Sequence, residues 1–310
     1  MDFVTRLATH PQANVYPLPL EGDLRWTRLS DTRAEIVLPL PDLPANHIIV
    51  PSFAQSGCAG AYGFALQFED QSVALHPVPT AADYQRPETH PAVSTHIDCW
   101  HTQRDVSDVR LVLQARRDTA PEAELLTLSV RPLEIDTLEL PDFSHVIEPE
   151  PAPLSQMQHP GEHKARICSP TALTMVLGQH ELWDQSLAAC YDPCTKAYGS
   201  WPLAIRWAAH CGRLGAVEAV NAWSDIAPAL QKDQPLVCSI RFAAGQLEGA
   251  PLASTGGHLV VLYGVDERSA WVLDPAAPDH GSVARRYPVE QFTQAWLRRR
   301  GAAYILGKTP

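Results

Sequence analysis

The sequence predicts an α+β protein with an all-β first half and a second half that combines helices with an antiparallel sheet. In the first half, short segments rich in β-branched, aromatic or alternating residues are separated by turn signals, and long helical periodicity is missing. Residues 142–153 read DFSHVIEPEPAP, a Pro- and Glu-rich composition that suits an extended linker. A helix-rich stretch and then apolar, strand-like stretches follow, which is an α+β pattern.

Short strands at close spacing in the first half favour a β-sandwich of jelly-roll type. The predicted strands are residues 34–38, 47–50, 62–68, 95–100, 109–115 and 125–130. A chain of 310 residues is long enough for two domains. We therefore place the β-sandwich domain at residues 1–145, the linker at 146–153 and the second domain at 154–310.

The second half carries start and stop signals for helices, such as an early proline, a final glycine, or Ser224 as an N-cap. Helices are predicted at residues 170–179, 203–209, 225–232 and 289–300. Strands are predicted at residues 236–242, 259–264, 270–273 and 303–306, with the middle two forming a hairpin.

Charge and composition exclude several classes of function. The net charge of −11 comes from 24 basic and 35 acidic residues, which argues against nucleic acid or an anionic membrane as a main partner. No stretch reaches the ~18 apolar residues of a membrane helix, and the N-terminus shows no apolar signal region. We therefore expect a cytoplasmic protein with its seven cysteines reduced. No phosphate-binding glycine loop is present, and no cofactor is expected.

The segment ICSPTALTMVLG, residues 167–178, places Cys168 just before a helix that opens with Ser169 and Pro170. A helix N-terminus carries partial positive charge and free N–H groups, which favour a thiolate over a thiol. The apolar residues that follow are typical of a buried helix, a good mount for a nucleophile. A structural cysteine near a helix start is the alternative interpretation.

The segment GGHLVVLYGVDERSAWVLDP, residues 256–275, offers a base and a partner for it. His258 opens one strand of the predicted hairpin and Asp274 closes the other. With a loop at residues 264–268, Tyr263 pairs with Ser269 and His258 lies opposite Asp274 on the same face. A carboxylate on one ring nitrogen leaves the other free to take the thiol proton. The alternative is a histidine at a strand edge and an ordinary Asp-Pro turn.

Two glutamines precede the predicted nucleophile and could complete an oxyanion hole. The backbone N–H of Cys168 supplies one donor, and a side-chain amide commonly supplies a second. Gln156 and Gln158 lie in LSQMQHPGEH, shortly before the cysteine. The sequence leaves the choice between them open, with a solvent-exposed loop glutamine as the alternative for each.

Together these segments resemble the bacteriocin-processing (double-glycine-leader) peptidases and their stand-alone relatives. The resemblance rests on PLSQMQHPGEHKARICSPTALTMVL, then YGSWPLAI, then GGHLVVLYGVDERSAWVLDPAA, and covers roughly residues 150–310. It implies a papain-like cysteine peptidase domain acting on a peptide or protein. It further implies Gln156 as the oxyanion glutamine, Cys168 as nucleophile, His258 as base and Asp274 as its orienting residue.

Tyr198 and Trp201, in the YGSWP segment, are expected to line the cleft, with core aromatics as the alternative. Gly257 leaves backbone room beside His258 and is the third predicted substrate-binding residue. The transporter-fused members carry Asp-Cys-Gly where this chain has Ile-Cys-Ser, so the resemblance is to the stand-alone type.

The same residues are compatible with other functions. A papain-like site can also hydrolyse a small amide or transfer an acyl group, and a third hypothesis is a non-catalytic peptide- or glycan-binding protein. The segment HIDCWH, residues 96–101, has poor spacing for a zinc site and lacks a second ligand pair, so no metal is expected.

Overall fold

The computed structural model describes residues 26–57, 60–85, 90–116 and 123–307. The N-terminal segment, which shows no apolar signal region, lies outside the described residues, and so does Cys58. The six other cysteines are unpaired, including Cys190 and Cys194. In the described ranges, no helix combines the length and the apolar character needed to cross a membrane.

The first half of the chain forms two antiparallel sheets. Their orders are β1-β2-β8-β4-β5 and β6-β7-β3-β9. The strands are β1 Thr27–Arg28, β2 Arg33–Pro39, β3 His47–Ser56, β4 Tyr62–Phe68, β5 Gln71–Ala74, β6 Val93–Thr95, β7 Trp100–Thr102, β8 Arg110–Arg116 and β9 Ala123–Pro132. Both sheets contribute to one cluster of buried side chains, with Phe64 and Leu113 from the first sheet and Phe53 and Leu126 from the second. The jelly-roll assignment of this half stays a prediction.

One predicted strand of the first half is wrong. Residues 95–100 do not run straight, because the N–H of His96 donates to the carbonyl of Cys99 and closes a turn between β6 and β7. The turn brings the rings of His96 and His101 to 4.0 Å between centroids. His96 therefore lies beside His101, and no cluster of potential metal ligands occurs among the described residues.

The second half builds one antiparallel sheet with helices packed on it. The order is β11-β16-β12-β13-β14-β15, and β10 pairs with the end of β13. The strands are β10 His145–Val146, β11 Gly215–Ala219, β12 Leu236–Phe242, β13 Thr255–Val265, β14 Ser269–Leu273, β15 Ala284–Pro288 and β16 Ala302–Leu306. The helices are α1 Cys168–Leu177, α2 Trp183–Cys190, α3 Trp201–His210, α4 Trp223–Leu230 and α5 Val289–Leu297.

Helix α1 is the central helix of this half and packs on β12 and β13. Every residue of α1 after Cys168 is buried, which agrees with its continuous apolar sequence. Its end is set by Gly178, whose φ of 68° is a left-handed conformation that glycine adopts without steric cost. The helix thus begins two residues earlier and ends two residues earlier than the predicted range of 170–179.

The capping of α4 differs from the prediction. The helix begins at Trp223 after the N-cap residue Ala222, so Ser224 is not the N-cap. The carboxylate of Asp225 instead accepts the backbone N–H groups of Asn221 and Ala222. A carboxylate in the first turn also suits the positive end of the helix dipole, and this is why an apolar N-cap is tolerated here.

The two halves share a core. Strands β3 and β9 pack on α3 and β11, and Val50 and Leu125 belong to the same buried cluster as Ile205 and Val217. The predicted linker begins inside the sheet of the second half, since β10 pairs with the end of β13. Gly264 makes that approach feasible, because a Cβ there would lie 2.8 Å from the Cα of Val146.

The side chain of Arg131 connects β9 to the second half of the chain by hydrogen bonds. Its side chain is 1% exposed, and it donates to the carbonyls of Val220 at 2.5 Å and Leu297 at 2.7 Å. It therefore satisfies a carbonyl at the end of α5, where helix carbonyls lack intrahelical partners. Gly301 lies directly beside the guanidinium, and any side chain at that position would clash with it.

Candidate active site

Cys168 occupies the first position of α1, where its backbone N–H has no partner within the helix. The helix is anchored beneath it, because the hydroxyl of Ser169 hydrogen-bonds the hydroxyl of Tyr304 at 2.9 Å. Cys168 is partly exposed while its neighbours Ile167 and Ser169 are buried. The thiol is thus held at a rigid helix tip that solvent or a ligand can reach.

His258 and Asp274 form a buried hydrogen-bonded pair. Nε2 of His258 lies 2.7 Å from Oδ1 of Asp274, and the two residues are 3% and 1% exposed. This bond leaves Nδ1 of the imidazole for Cys168, whose side chain hydrogen-bonds to the ring. The structure therefore brings Cys168, His258 and Asp274 together, on one helix tip and one hairpin.

The predicted register of this hairpin is wrong by two residues. Leu262 pairs with Val272 and Val261 with Leu273, so His258 does not lie directly opposite Asp274. A bulge at Tyr263 and a short loop, rather than the predicted loop at 264–268, shift the pairing. On the His258 side of the bulge, a shift of two residues keeps the side chains on their original face. The two side chains therefore still meet, on a diagonal instead of a direct pair.

The carboxylate of Asp274 accepts hydrogen bonds from more donors than the sequence predicts. Its Oδ1 also accepts the N–H of Ala276 at 2.9 Å, and its Oδ2 accepts the hydroxyl of Tyr287 at 2.6 Å. Tyr287 is fully buried on β15 and stacks on Phe292 of α5. Sequence reasoning missed it because no strand was predicted over residues 284–288, and nothing local in ARRYP indicates a partner for a carboxylate.

The charges of the three groups reinforce one another. Burial by itself raises the pKa of the Cys168 thiol, but the hydrogen bond and charge of His258 outweigh this and hold that pKa below its ordinary value. For His258, burial opposes the charged form, while the charge of Asp274 and the bond to it raise the imidazole pKa. Burial likewise opposes ionisation of Asp274, yet His258 and Tyr287 keep its pKa low. The shifts of Cys168 and His258 both act in the direction of a thiolate beside an imidazolium.

The two glutamines differ in position. Gln156 is 3% exposed, and its Nε2 donates to the carbonyl of Lys164, in the turn that leads into Cys168. Gln158 is exposed and donates away from the site to the carbonyl of Pro278. An amide nitrogen has two hydrogens, and the bond to Lys164 uses one of the two on Gln156. This geometry favours Gln156 over Gln158 as the oxyanion donor.

The predicted substrate-binding residues separate into two groups. Tyr198 is buried in a small cluster with Ile167, next to the nucleophile. Trp201 lies in the main core at the start of α3, where its backbone N–H reaches Asp98 at 3.3 Å. Gly257 is exposed directly before His258. Tyr198 and Gly257 therefore lie at the site, whereas Trp201 packs behind it.

The family of the chain agrees with this arrangement. Residues 150–304, half of the chain, match the model of the Peptidase_C39 like family. The chain belongs to this family, a class of papain-like cysteine peptidases, and cysteine peptidase activity is what its family indicates. The narrower resemblance to double-glycine-leader peptidases stays a prediction.

One solved structure with a likeness to the chain is a protein of Bacillus anthracis described as a C39-like peptidase. It has 17% sequence identity and a TM-score of 0.38, and the match covers 54% of this chain and 98% of that one. At this TM-score the likeness supports no further conclusion. No curated protein matches the chain.

Proposed function

We propose that this protein is a cysteine peptidase in which Cys168 attacks the carbonyl carbon of a peptide bond. The observation that supports this best is the contact of the Cys168 thiol with an imidazole whose other nitrogen is held 2.7 Å from a buried carboxylate. A base that is oriented by a third group, beside a nucleophile on a helix tip, is the arrangement that thiol-dependent acyl transfer requires.

In the first step the Cys168 thiolate forms a bond from Sγ to the carbonyl carbon, and the carbonyl oxygen becomes an oxyanion. The backbone N–H of Cys168 and Nε2 of Gln156 donate to that oxyanion. Nδ1 of His258 then gives its proton to the leaving amine as the carbon–nitrogen bond breaks. The product of this step is an acyl group on Sγ.

In the second step a water molecule attacks the acyl carbon. His258, now neutral, takes a proton from that water, and the carbon–sulfur bond breaks to release the carboxylic acid and the thiolate. Asp274 stays ionised throughout and holds the ring in the orientation that serves both steps. Tyr287 and the N–H of Ala276 hold Asp274 in turn.

Selective alkylation tests the nucleophile without knowledge of the substrate. At neutral pH, limiting iodoacetamide should modify Cys168 before the other cysteines, as read by peptide mass mapping. Cys194 is the matched comparison, because it is also partly exposed but its thiol donates to the carbonyl of Tyr84 and not to an imidazole. Faster reaction at Cys194 than at Cys168 would remove the chemical basis of the proposal.

Activity is tested with the same pair of cysteines. Cys168→Ala should abolish hydrolysis of a peptide library and labelling by an epoxide probe, whereas Cys194→Ala should retain both. Hydrolysis that survives in Cys168→Ala would contradict the assignment.

A further inference from the structure

Cationic side chains surround the turn that leads into the nucleophile. Lys164 and Arg166 belong to the exposed 3-10 turn Lys164–Arg166, which ends two residues before Cys168. Arg166 donates to the carbonyl of Lys196 at 2.6 Å, so the loop that carries Lys196 lies against the same turn. Among the described residues none of these three cations has an ion-pair partner within 4.0 Å. One acid, Glu162, lies in the same segment.

A second cationic group lies at the start of the His258 strand. Arg241 follows Ile240, the residue that pairs with His258. Its Nε donates to the carbonyl of Gly256 at 2.8 Å, and Gly256 and Gly257 are both exposed. The Arg241 guanidinium is therefore fixed beside the open end of the strand that supplies the base.

Further arginines follow Arg241 along this end of the sheet. A cavity of about 1110 Å³ is lined by Arg241, Arg298, Arg299 and Thr255, and a second one of about 600 Å³ by Arg241, Arg299 and Arg300. Burial, followed by the charges of Arg300 and Arg299, lowers the pKa of Arg241. Glu290 lines the first cavity and Glu134 the second, so four arginines share these two linings with two acids.

Only weak ion pairs offset these arginines. Arg298 lies 3.8 Å from Asp136 and Arg299 lies 3.1 Å from Glu134, and all four side chains are about half exposed or more. Exposed pairs of this kind contribute little energy, and their charges stay available to a ligand. Arg241 and Arg300 form no ion pair within the part of the chain that the structure describes.

Both sides of the candidate active site therefore carry surplus positive charge in a chain of net charge −11. Complementary charge sets specificity and speeds encounter between partners. We propose that the site takes acidic peptide segments, with Asp or Glu side chains on both sides of the scissile bond. This inference rests on the peptidase function proposed above and names its substrate class.

Binding to a variant that cannot turn over substrate tests the inference. We would measure fluorescence anisotropy with Cys168→Ala and three fluorescein-labelled peptides of one alanine-based sequence, in which glutamates, glutamines or lysines flank the centre. The glutamate peptide should bind about tenfold more tightly than the glutamine peptide, a difference of about 1.4 kcal/mol. The preference should shrink as salt is added. Equal affinity for these two peptides, or a preference for lysine, overturns the proposal.

Charge reversal tests whether Lys164 and Lys196 cause the preference for the glutamate peptide. In the Cys168→Ala background, Lys164→Glu combined with Lys196→Glu should lose most of the glutamate preference, and the milder Lys164→Gln with Lys196→Gln should lose part of it. Lys232→Glu is the matched control, because Lys232 is exposed on the loop after α4. An unchanged preference in both double variants overturns the assignment.

The two proposals fail separately. Anisotropy with Cys168→Ala needs no catalysis, so glutamate-selective binding can be present even if the wild-type protein hydrolyses no peptide. Conversely, wild-type protein that cleaves the glutamate and glutamine peptides with equal kcat/KM keeps the peptidase function and loses the acidic substrate class.

Discussion

Asp274 and Glu218 both carry carboxyl groups and are both 1% exposed, yet their surroundings shift the carboxyl pKa in opposite directions. Asp274, at the end of β14, accepts hydrogen bonds from His258, Ala276 and Tyr287, and its pKa is held low against the effect of burial. Glu218, on β11, has no hydrogen-bond partner for either oxygen among the described residues. Burial, with the charge of Asp225, raises its pKa to about 8.

The comparison shows that donors, and not depth, decide whether a buried carboxyl group ionises. Around Asp274 a hairpin, a turn and a tyrosine on a third strand converge to stabilise charge. Around Glu218, where β11 packs on β9, no such donors are supplied, and the hydroxyls of Thr127 and Ser129 on β9 also lack partners within the described ranges. One region stabilises a charged carboxylate, and the other holds a carboxyl group whose pKa is raised by burial.

Asp274→Asn should have the largest effect. Asn keeps the size of the side chain but removes the charge that favours imidazolium, so kcat/KM should fall by about 10³-fold or more. Peptide hydrolysis and the rate of Cys168 alkylation at neutral pH measure this loss. A variant with wild-type alkylation would mean that the carboxylate does not act on Cys168.

Arg131→Met should have the largest effect on folding. The methionine fills much of the buried volume but leaves the carbonyls of Val220 and Leu297 without their donors, which costs about 3 kcal/mol of unfolding free energy. Urea denaturation measures it. Arg28→Met is the matched control, because Arg28 is exposed and its partners Asp31 and Ser30 are exposed as well. Equal midpoints for the two variants would contradict the role of Arg131 in joining the halves.

Glu218→Gln should change the pH dependence of stability. The pKa of Glu218 is higher in the folded than in the unfolded state, so its contribution is fully present below about pH 4.5 and is lost as the pH rises towards about 8. The stability of Glu218→Gln relative to wild type should therefore grow over this range, by on the order of a few kcal/mol.

Thermal unfolding at several pH values measures this trend, with Glu139→Gln, at an exposed position, as the control. A constant difference in Tm between wild type and Glu218→Gln would show that Glu218 ionises normally, and the contrast with Asp274 would disappear.

Tyr287→Phe should have the smallest effect. It removes one of the donors to Asp274 and leaves the ring that stacks on Phe292, so kcat/KM should fall by about tenfold, as expected for one hydrogen bond to a charged group. Because the carboxylate is then less stabilised, the acidic limb of the pH–rate profile should move to higher pH. A lower Tm with an unmoved profile would assign Tyr287 a structural role alone.

The sequence was informative where the chemistry is local. A cysteine at a helix start, a histidine after two glycines and an aspartate at a hairpin end were each recognisable from their neighbours, and the shared face of His258 and Asp274 survived an error of two residues in register. The error came from a bulge at Tyr263, which depends on how β10 and β14 fit against β13.

What the sequence could not provide depends on contacts between distant segments. Tyr287 contacts Asp274 because β15 pairs with β14. Arg131 donates to Leu297 of α5, which lies 166 positions further along the chain. The short strand β10, which overlaps the start of the predicted linker, was not predicted, because two residues cannot show the alternation of a longer strand. Such contacts require the positions of several elements at once, which periodicity and spacing do not contain.

The pH dependence of Cys168 alkylation tests the central claim most directly, because it reports the thiolate itself. Rates measured by mass spectrometry across a pH series should give a midpoint well below the ~8.5 of an unperturbed cysteine, and His258→Ala should move the midpoint upward. A wild-type midpoint at or above that of an unperturbed cysteine would contradict the account.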